Sequence, residues 1–203
     1  MRNFIDLSNY YPDYVEYGNF LIEKLPNNIT VSQDFIDYHN GVDLVGQSSH
    51  YFKMRFINGG PIMSTDDYEV LTNKYFLDNA NGDVLIFGLG MGFIVFPLLN
   101  DPSITSIKIV ELNPDIINYV GNIITNADVN NKVSIVQGDA KTYYQEVTNE
   151  VYDFIYFDYW YGLNEQSYQE MSTYQTLYQG FKKNTNSVIY CWCQDIQHLI
   201  LSL

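Results

Sequence analysis

A chain of 203 residues, 46% hydrophobic and 17% charged, suits one domain, or one domain with a small appendage, and can bury a real core. Its formal charge of −14 repels phosphate backbones, which makes nucleic acid a poor partner and reads as a solubilising surface. No apolar run reaches the ~18 residues of a membrane span and no signal-peptide core opens the chain, so a cytoplasmic protein is expected.

Residues 1–50 are rich in Tyr and Phe and broken by Pro12 and Pro26. Phe20–Leu25 suits a strand, and Val31–Tyr38 a strand or a short helix. Tyr51–Ile57 is β-prone, Asn58-Gly-Gly60 signals a hairpin, and Pro61–Met63 is the returning strand. Ser64 or Thr65 caps a helix that carries Asp66, Asp67 and Glu69 in its first turn and runs to Asn79. Asn81-Gly82 then breaks the chain. This divides it into a β-rich extension over residues 1–80, with the hairpin and that helix, and a core domain over residues 81–203.

The core alternates strand and helix. Val84–Phe87 is a buried strand that stops at Gly88-Leu-Gly-Met-Gly92, and a helix is expected from Gly90, kinked or shortened at Pro97. Ser106–Leu112 is the second strand. Asn113-Pro114 starts the next helix well, with Ile116, Ile117, Val120, Ile123 and Ile124 along one face. Val133–Val136 is the third strand, ended by Gly138-Asp-Ala140, and a helix with Tyr143, Tyr144 and Val147 follows. Tyr152–Phe157 is the fourth strand, ending at Asp158, and a Tyr-rich helix covers 165–181. Ser187–Cys193 is the fifth strand, with a last helix over 195–201. Cys191 and Cys193 would share one face of that strand, where a disulfide is sterically disfavoured and buried packing is the expected role. The three histidines, His39, His50 and His198, are scattered, so no metal is expected.

Apolar strands separated by helices argue for an α/β fold: a Rossmann-like, doubly wound, mostly parallel sheet with a small N-terminal β-rich extension. Ligands of such sheets sit beyond the carboxyl ends of the strands, where strand order reverses. Every polar motif of the core falls at such an end: Gly88–Gly92, Glu111, Asp139 and Asp158. The glycines allow a tight turn and a close backbone approach to a ligand. Their spacing departs from G-x-G-x-x-G, because Phe93 takes the last position, and no Gly-Lys-Ser/Thr follows, which excludes a P-loop. Glu111, about twenty residues on, suits the two hydroxyls of a ribose.

On these pieces the chain resembles the class I S-adenosylmethionine-dependent methyltransferase superfamily, in its spermidine-synthase-like branch, over roughly residues 50–195. The pieces are Phe87–Gly92, Ile109-Val-Glu-Leu-Asn-Pro-Asp-Ile-Ile117, Gln137-Gly-Asp-Ala140 and Tyr152–Asp158, preceded by the hairpin and Met63-Ser-Thr-Asp-Asp67. It is similar too to small phage-encoded methyltransferase-like proteins. The resemblance implies S-adenosylmethionine, or its decarboxylated form, as cofactor. Gly88, Leu89, Gly90 and Gly92 would wrap its methionine part, and Glu111 its ribose. Leu112, Asp139 and Ala140 would hold the adenine. Asp158 would be catalytic, and Asp67, Tyr159 and Trp160 would meet the substrate. Asp139 also suits a helix cap, and the aromatics after Asp158 suit either a cation or plain packing.

The resemblance implies a methyltransferase acting on a small molecule or protein, with aminopropyl transfer as the alternative. A non-catalytic or cofactor-degrading protein is a further reading. The branch carries Asp-x-x-Asp for a diamine, whereas this chain has Asp158-Tyr-Trp-Tyr161. Its Tyr-His-Glu element is replaced by Val70-Leu-Thr72. The sheet should end at the fifth strand, where either the N-terminal strands complete it or another subunit covers the open edge, which makes a homo-oligomer a reasonable expectation.

Overall fold

The computed structural model describes residues 2, 4–31 and 49–196. Two sheets organise it. The first is antiparallel, in the order β1-β2-β3-β4: β1 Tyr14–Tyr17, β2 Phe20–Pro26, β3 His50–Phe56 and β4 Pro61–Ser64. The Asn58-Gly-Gly60 turn closes the β3–β4 hairpin, with Phe56 N–H donating to the Gly60 carbonyl at 3.1 Å. β1 lies in a stretch where no strand was expected.

The second sheet is parallel, in the order β7-β6-β5-β8-β9. Its strands are β5 Gly82–Phe87, β6 Ile104–Glu111, β7 Val133–Gln137, β8 Phe154–Phe157 and β9 Val188–Cys191. The chain leaves β5 to one side for β6 and β7, then returns to its other side for β8 and β9. The expected Rossmann-like arrangement with its N-terminal antiparallel sheet is therefore present, and the strand order reverses at β5.

The apolar runs are explained by burial on both faces, because successive side chains alternate. Val84, Ile86, Ile107, Ile109, Phe154 and Tyr156 join one core with Phe20, Ile22, Phe52 and Met54 of the first sheet and Phe76 and Leu77 of a helix. Leu85, Phe87, Val110, Ile155 and Phe157 face the other way, onto Tyr168, Met171 and Tyr174. Helix α1, Asp67–Asn79, supplies Phe76 and Leu77. Its cap is Asp66, whose carboxylate accepts from the N–H groups of Tyr68 and Glu69, rather than Ser64 or Thr65. Ser64 Oγ donates to Asp66 instead, at 2.8 Å.

The helix expected from Gly90 does not form. Three glycines with positive φ open the segment, Gly92 N–H closes a four-residue turn on Leu89, and only a 3₁₀ turn at Phe96–Leu98 follows. Ile94 and Val95 are β-branched and Pro97 has no N–H, so nothing favours the α ladder over i→i+3 bonds. Helix α2 begins at the Asn113 cap as expected and continues as Pro114–Ile116, a π turn at Ile117–Gly121, and Asn122–Ala127. Helix α3, Tyr143–Glu146, is one turn long, and α4 spans Glu165–Leu177 before a 3₁₀ turn, Tyr178–Phe181.

β9 ends at Cys191, and Cys193 takes φ +58°, so the two cysteines do not share a strand face. Both are buried free thiols. The Val31–Tyr38 segment beyond Val31, His39, His198 and the last helix beyond a turn at Gln194–Ile196 lie outside the described residues. Among the described residues, no helix is long and apolar enough to cross a membrane.

Candidate active site

A cavity of about 840 Å³ opens beyond the carboxyl ends of β5, β6, β7 and β8, against the β3–β4 hairpin and the start of α1. This volume is in the range of small-molecule sites. Gly88, Leu89, Gly90, Glu111, Leu112, Asp139, Ala140, Asp158, Tyr159 and Trp160 all line it, so ten residues expected to serve a ligand come together. Two expected ones do not. Gly92 faces Ile124 of α2, and Asp67 lies off the lining, where it accepts from Asn27 Nδ2 at 3.1 Å.

The glycine turn is held from both sides. Gly88 has φ +99°, and a Cβ on it would collide with the Asp158 carbonyl oxygen, so the loops after β5 and β8 can touch only because residue 88 has no side chain. Gly90, at φ +49°, is covered by the thioether of Met63, which accepts from the Met91 N–H at 3.0 Å. The turn therefore meets the cavity as bare backbone, without a helix N-terminus behind it.

Glu111 is buried. One of its oxygens accepts from the Leu89 N–H and the other from the Asn113 N–H, both at 2.8 Å. Burial pushes its carboxyl above the usual range, against the pull of these backbone amides. A carboxylate has about four lone-pair sites, so each oxygen keeps capacity for a hydroxyl. Asp139 lines the rim but does not cap α3, whose cap position is Thr142, without a side-chain capping bond. Asp139 Oδ1 accepts from the Lys141 N–H at 2.9 Å, and the Asp139 carbonyl accepts from Thr142 and Tyr143. Tyr178 Oη fixes the next residue by donating to the Ala140 carbonyl at 3.0 Å. Leu112 is 63% exposed at the same rim, an apolar surface open to a planar ring.

At the inner end stand two carboxylates. Asp158 follows β8 directly, and its carboxylate accepts no hydrogen bond among the described residues; burial pushes it up to about 7. Glu69, in the first turn of α1, was expected only as a favourable first-turn acid of that helix. It also lines the cavity, and burial, then the charges of Asp158 and Asp66, push its carboxyl well above the usual range. A buried relay sets its helix face: Tyr156 Oη donates to Asn73 Oδ1 at 2.7 Å, and Asn73 Nδ2 donates to the Glu69 carbonyl at 3.1 Å and reaches the carboxylate at 3.4 Å. The available signal was polar spacing, since Glu69, Thr72 and Asn73 fall on one helical face and the last two are buried.

Aromatic side chains close the cavity. Tyr159 stacks on Trp160, and Trp160 Nε1 donates to Glu170 at 3.1 Å. Tyr161, 65% exposed, meets Phe56 of β3 edge-on. Met63 and Asp66, from the segment before α1, also line the cavity, as do Tyr51, Lys53, Glu170 and Trp192, for which the sequence suggested no site role.

Comparison with solved structures finds spermidine synthases. The Thermotoga maritima enzyme is 18% identical, with 93% of this chain and 59% of that one covered and a TM-score of 0.52. A spermidine synthase in complex with the transition-state analogue AdoDATO gives the same identity and coverage with a TM-score of 0.54. An SAH-bound methyltransferase of Podospora anserina is 20% identical over 64% of this chain and 53% of that one, at 0.47. These likenesses concern the fold, and this chain spans 59% of the length of the two synthases. No curated protein matches. The family model of the spermine/spermidine synthase domain, in contrast, matches residues 69–194, more than half of the chain, and the protein belongs to that family.

Proposed function

We propose that the protein transfers a methyl group from S-adenosylmethionine to an amine on a small molecule or protein. The observation that carries this reading is one cavity with Glu111 and Asp139 at its outer rim and Asp158 beside Glu69 at its inner end. Glu111 would take the ribose, the bare backbone of Gly88 and Gly90 the amino-acid chain, and Leu112, Asp139 and Ala140 the adenine. When bound, such a donor supplies a positively charged sulfur whose attached carbon is open to attack.

The residues have three tasks. Tyr159, Trp160 and Tyr161 wall the inner end against water and offer π faces to a cationic acceptor. Glu69 and Asp158 attract the ammonium form. Asp158 then takes the proton that an amine must lose before its nitrogen can attack; a carboxyl held near neutrality suits that transfer. No covalent enzyme intermediate is needed.

Aminopropyl transfer from the decarboxylated donor is the second reading. Family membership favours it, and Glu69 offers a second acid that the Asp158–Tyr161 loop lacks. Calorimetry with S-adenosylmethionine, its decarboxylated form and S-adenosylhomocysteine tests both, beside Asp139→Ala. Binding that the variant weakens supports the donor site, and the preferred form separates the two reactions. Failure of all three to bind refutes both. Among the described residues no strand pairs with the outer edge of β9, which suits a homo-oligomer, and size exclusion at two concentrations checks it.

A further inference from the structure

The ten Lys and Arg residues are outnumbered by 24 Asp and Glu, so a cation here should find an acid with ease. Seven of the ten pair with a carboxylate. Lys132 donates to the Asp101 carbonyl at 2.6 Å. Of the remaining two, Lys182 lies away from the cavity and Lys53 lines it. Among the described residues Lys53 has no ion pair and no side-chain hydrogen bond.

The register explains why. Lys53 on β3 stands opposite Glu23 on β2, a spacing that ordinarily allows a cross-strand pair. Glu23 instead accepts from Arg55 Nε at 3.4 Å. On the other side Lys53 stands opposite Ser64, whose hydroxyl donates to Asp66. Both neighbours that could engage its ammonium are committed elsewhere. The cavity is thus lined by the acids Asp66, Glu69, Glu111, Asp139, Asp158 and Glu170 together with one cation, Lys53, that has no ion pair among the described residues.

We propose that Lys53 pairs with a carboxylate on the ligand that fills this cavity. The inference rests on the donor-and-amine reading above and sharpens it, because a ligand with both an ammonium and a carboxylate matches a cavity that holds buried acids and the unpaired Lys53. That carboxylate has two sources. It belongs either to the amino-acid end of an intact donor, which the decarboxylated donor lacks, or to an amino-acid-like acceptor. The first source favours methyl transfer over aminopropyl transfer. The second makes the acceptor a zwitterion and disfavours a diamine, whose far ammonium Lys53 would repel.

The two tryptophans of the chain, Trp160 and Trp192, both line the cavity, so intrinsic fluorescence reports its filling. Four probes are titrated into the wild type, Lys53→Met and Lys53→Arg. S-adenosylhomocysteine is compared with its decarboxylated counterpart, and 4-aminobutanoate with butylamine. Thermal unfolding of each variant controls for folding. Lys53→Met should weaken one carboxylate-bearing probe about tenfold, as expected for a charge-assisted hydrogen bond, and leave its carboxylate-free counterpart unchanged. Lys53→Arg should restore most of the loss. Loss in the first pair assigns the carboxylate to the donor, and loss in the second to the acceptor. If carboxylate probes bind and Lys53→Met leaves them unchanged, this inference falls and the donor reading stands. If S-adenosylhomocysteine does not bind the wild type, the donor reading falls and the second pair still decides the role of Lys53. If neither carboxylate probe binds the wild type, both fall.

Discussion

Alanine at Gly88 and at Gly90 should behave differently, although both glycines hold positive φ. Each substitution places a Cβ in the left-handed region, which costs about 1–2 kcal/mol. At residue 90 the new Cβ meets the Met63 thioether, the far end of a flexible side chain that can swing into the cavity. Gly90→Ala should therefore lose little beyond the backbone term, about 2–8 °C of unfolding temperature at 2–4 °C per kcal/mol for a chain of this size. At residue 88 the Cβ meets the Asp158 carbonyl oxygen, which is backbone and cannot swing. The Asp158 N–H is itself tied to the Phe87 carbonyl at 2.8 Å, so relief requires the two loops to part. Gly88→Ala should cost about 3 kcal/mol or more, and should displace Asp158 enough to lower the transfer rate about 100-fold. The assay is thermal and urea unfolding of both variants, with S-adenosylhomocysteine binding and turnover once an acceptor is known. A Gly88→Ala protein no less stable than Gly90→Ala would refute the argument that the loops after β5 and β8 are in obligatory contact.

The Asp158 carboxyl is raised by burial to about 7, so the folded chain holds a proton there that the unfolded chain releases near the usual carboxylate range. Stability from this group is present at low pH and is lost as pH rises through about 7; Asp158→Asn should therefore raise the unfolding temperature at pH 8 more than at pH 4, while abolishing transfer, whose rate in the wild type should climb through the same window. Thermal scans at the two pH values check the first part. Tyr156→Phe removes the donor to Asn73 Oδ1, with both residues fully buried, and should cost about 1–3 kcal/mol and reduce amine binding beside Glu69, measured by unfolding and by butylamine titration.

Much of the outer rim was legible because each of its polar residues ends an apolar run, and strand ends converge in a parallel sheet. Gly88, Glu111, Asp139 and Asp158 could be placed on one rim from that rule alone. The inner half was not. Glu69 carries the chemistry of a favourable first-turn acid, and only the docking of α1 against Tyr156 and Asn73 turns it inward. Lys53 is one charge on an alternating strand, and its lack of an ion pair among the described residues depends on a register three strands wide. The missing helix after Gly90 has a local cause that composition hides. Phe93–Leu99 is apolar enough for a helix, yet the residues before it are wound left-handed and Pro97 withholds a donor. Cys193 was misplaced for the same kind of reason, a left-handed residue that ends a strand early.

Glu111 also gives the outer rim a mechanical property. Its two oxygens tie Leu89 to Asn113 before any ligand arrives, linking the turn after β5 to the start of α2. A guest at that rim finds a mould already set and forfeits little chain entropy in taking its place. The same bonds mean that Glu111→Ala would lose more than a contact to a sugar, since it would leave two backbone amides seeking new acceptors and slacken the frame that supports both.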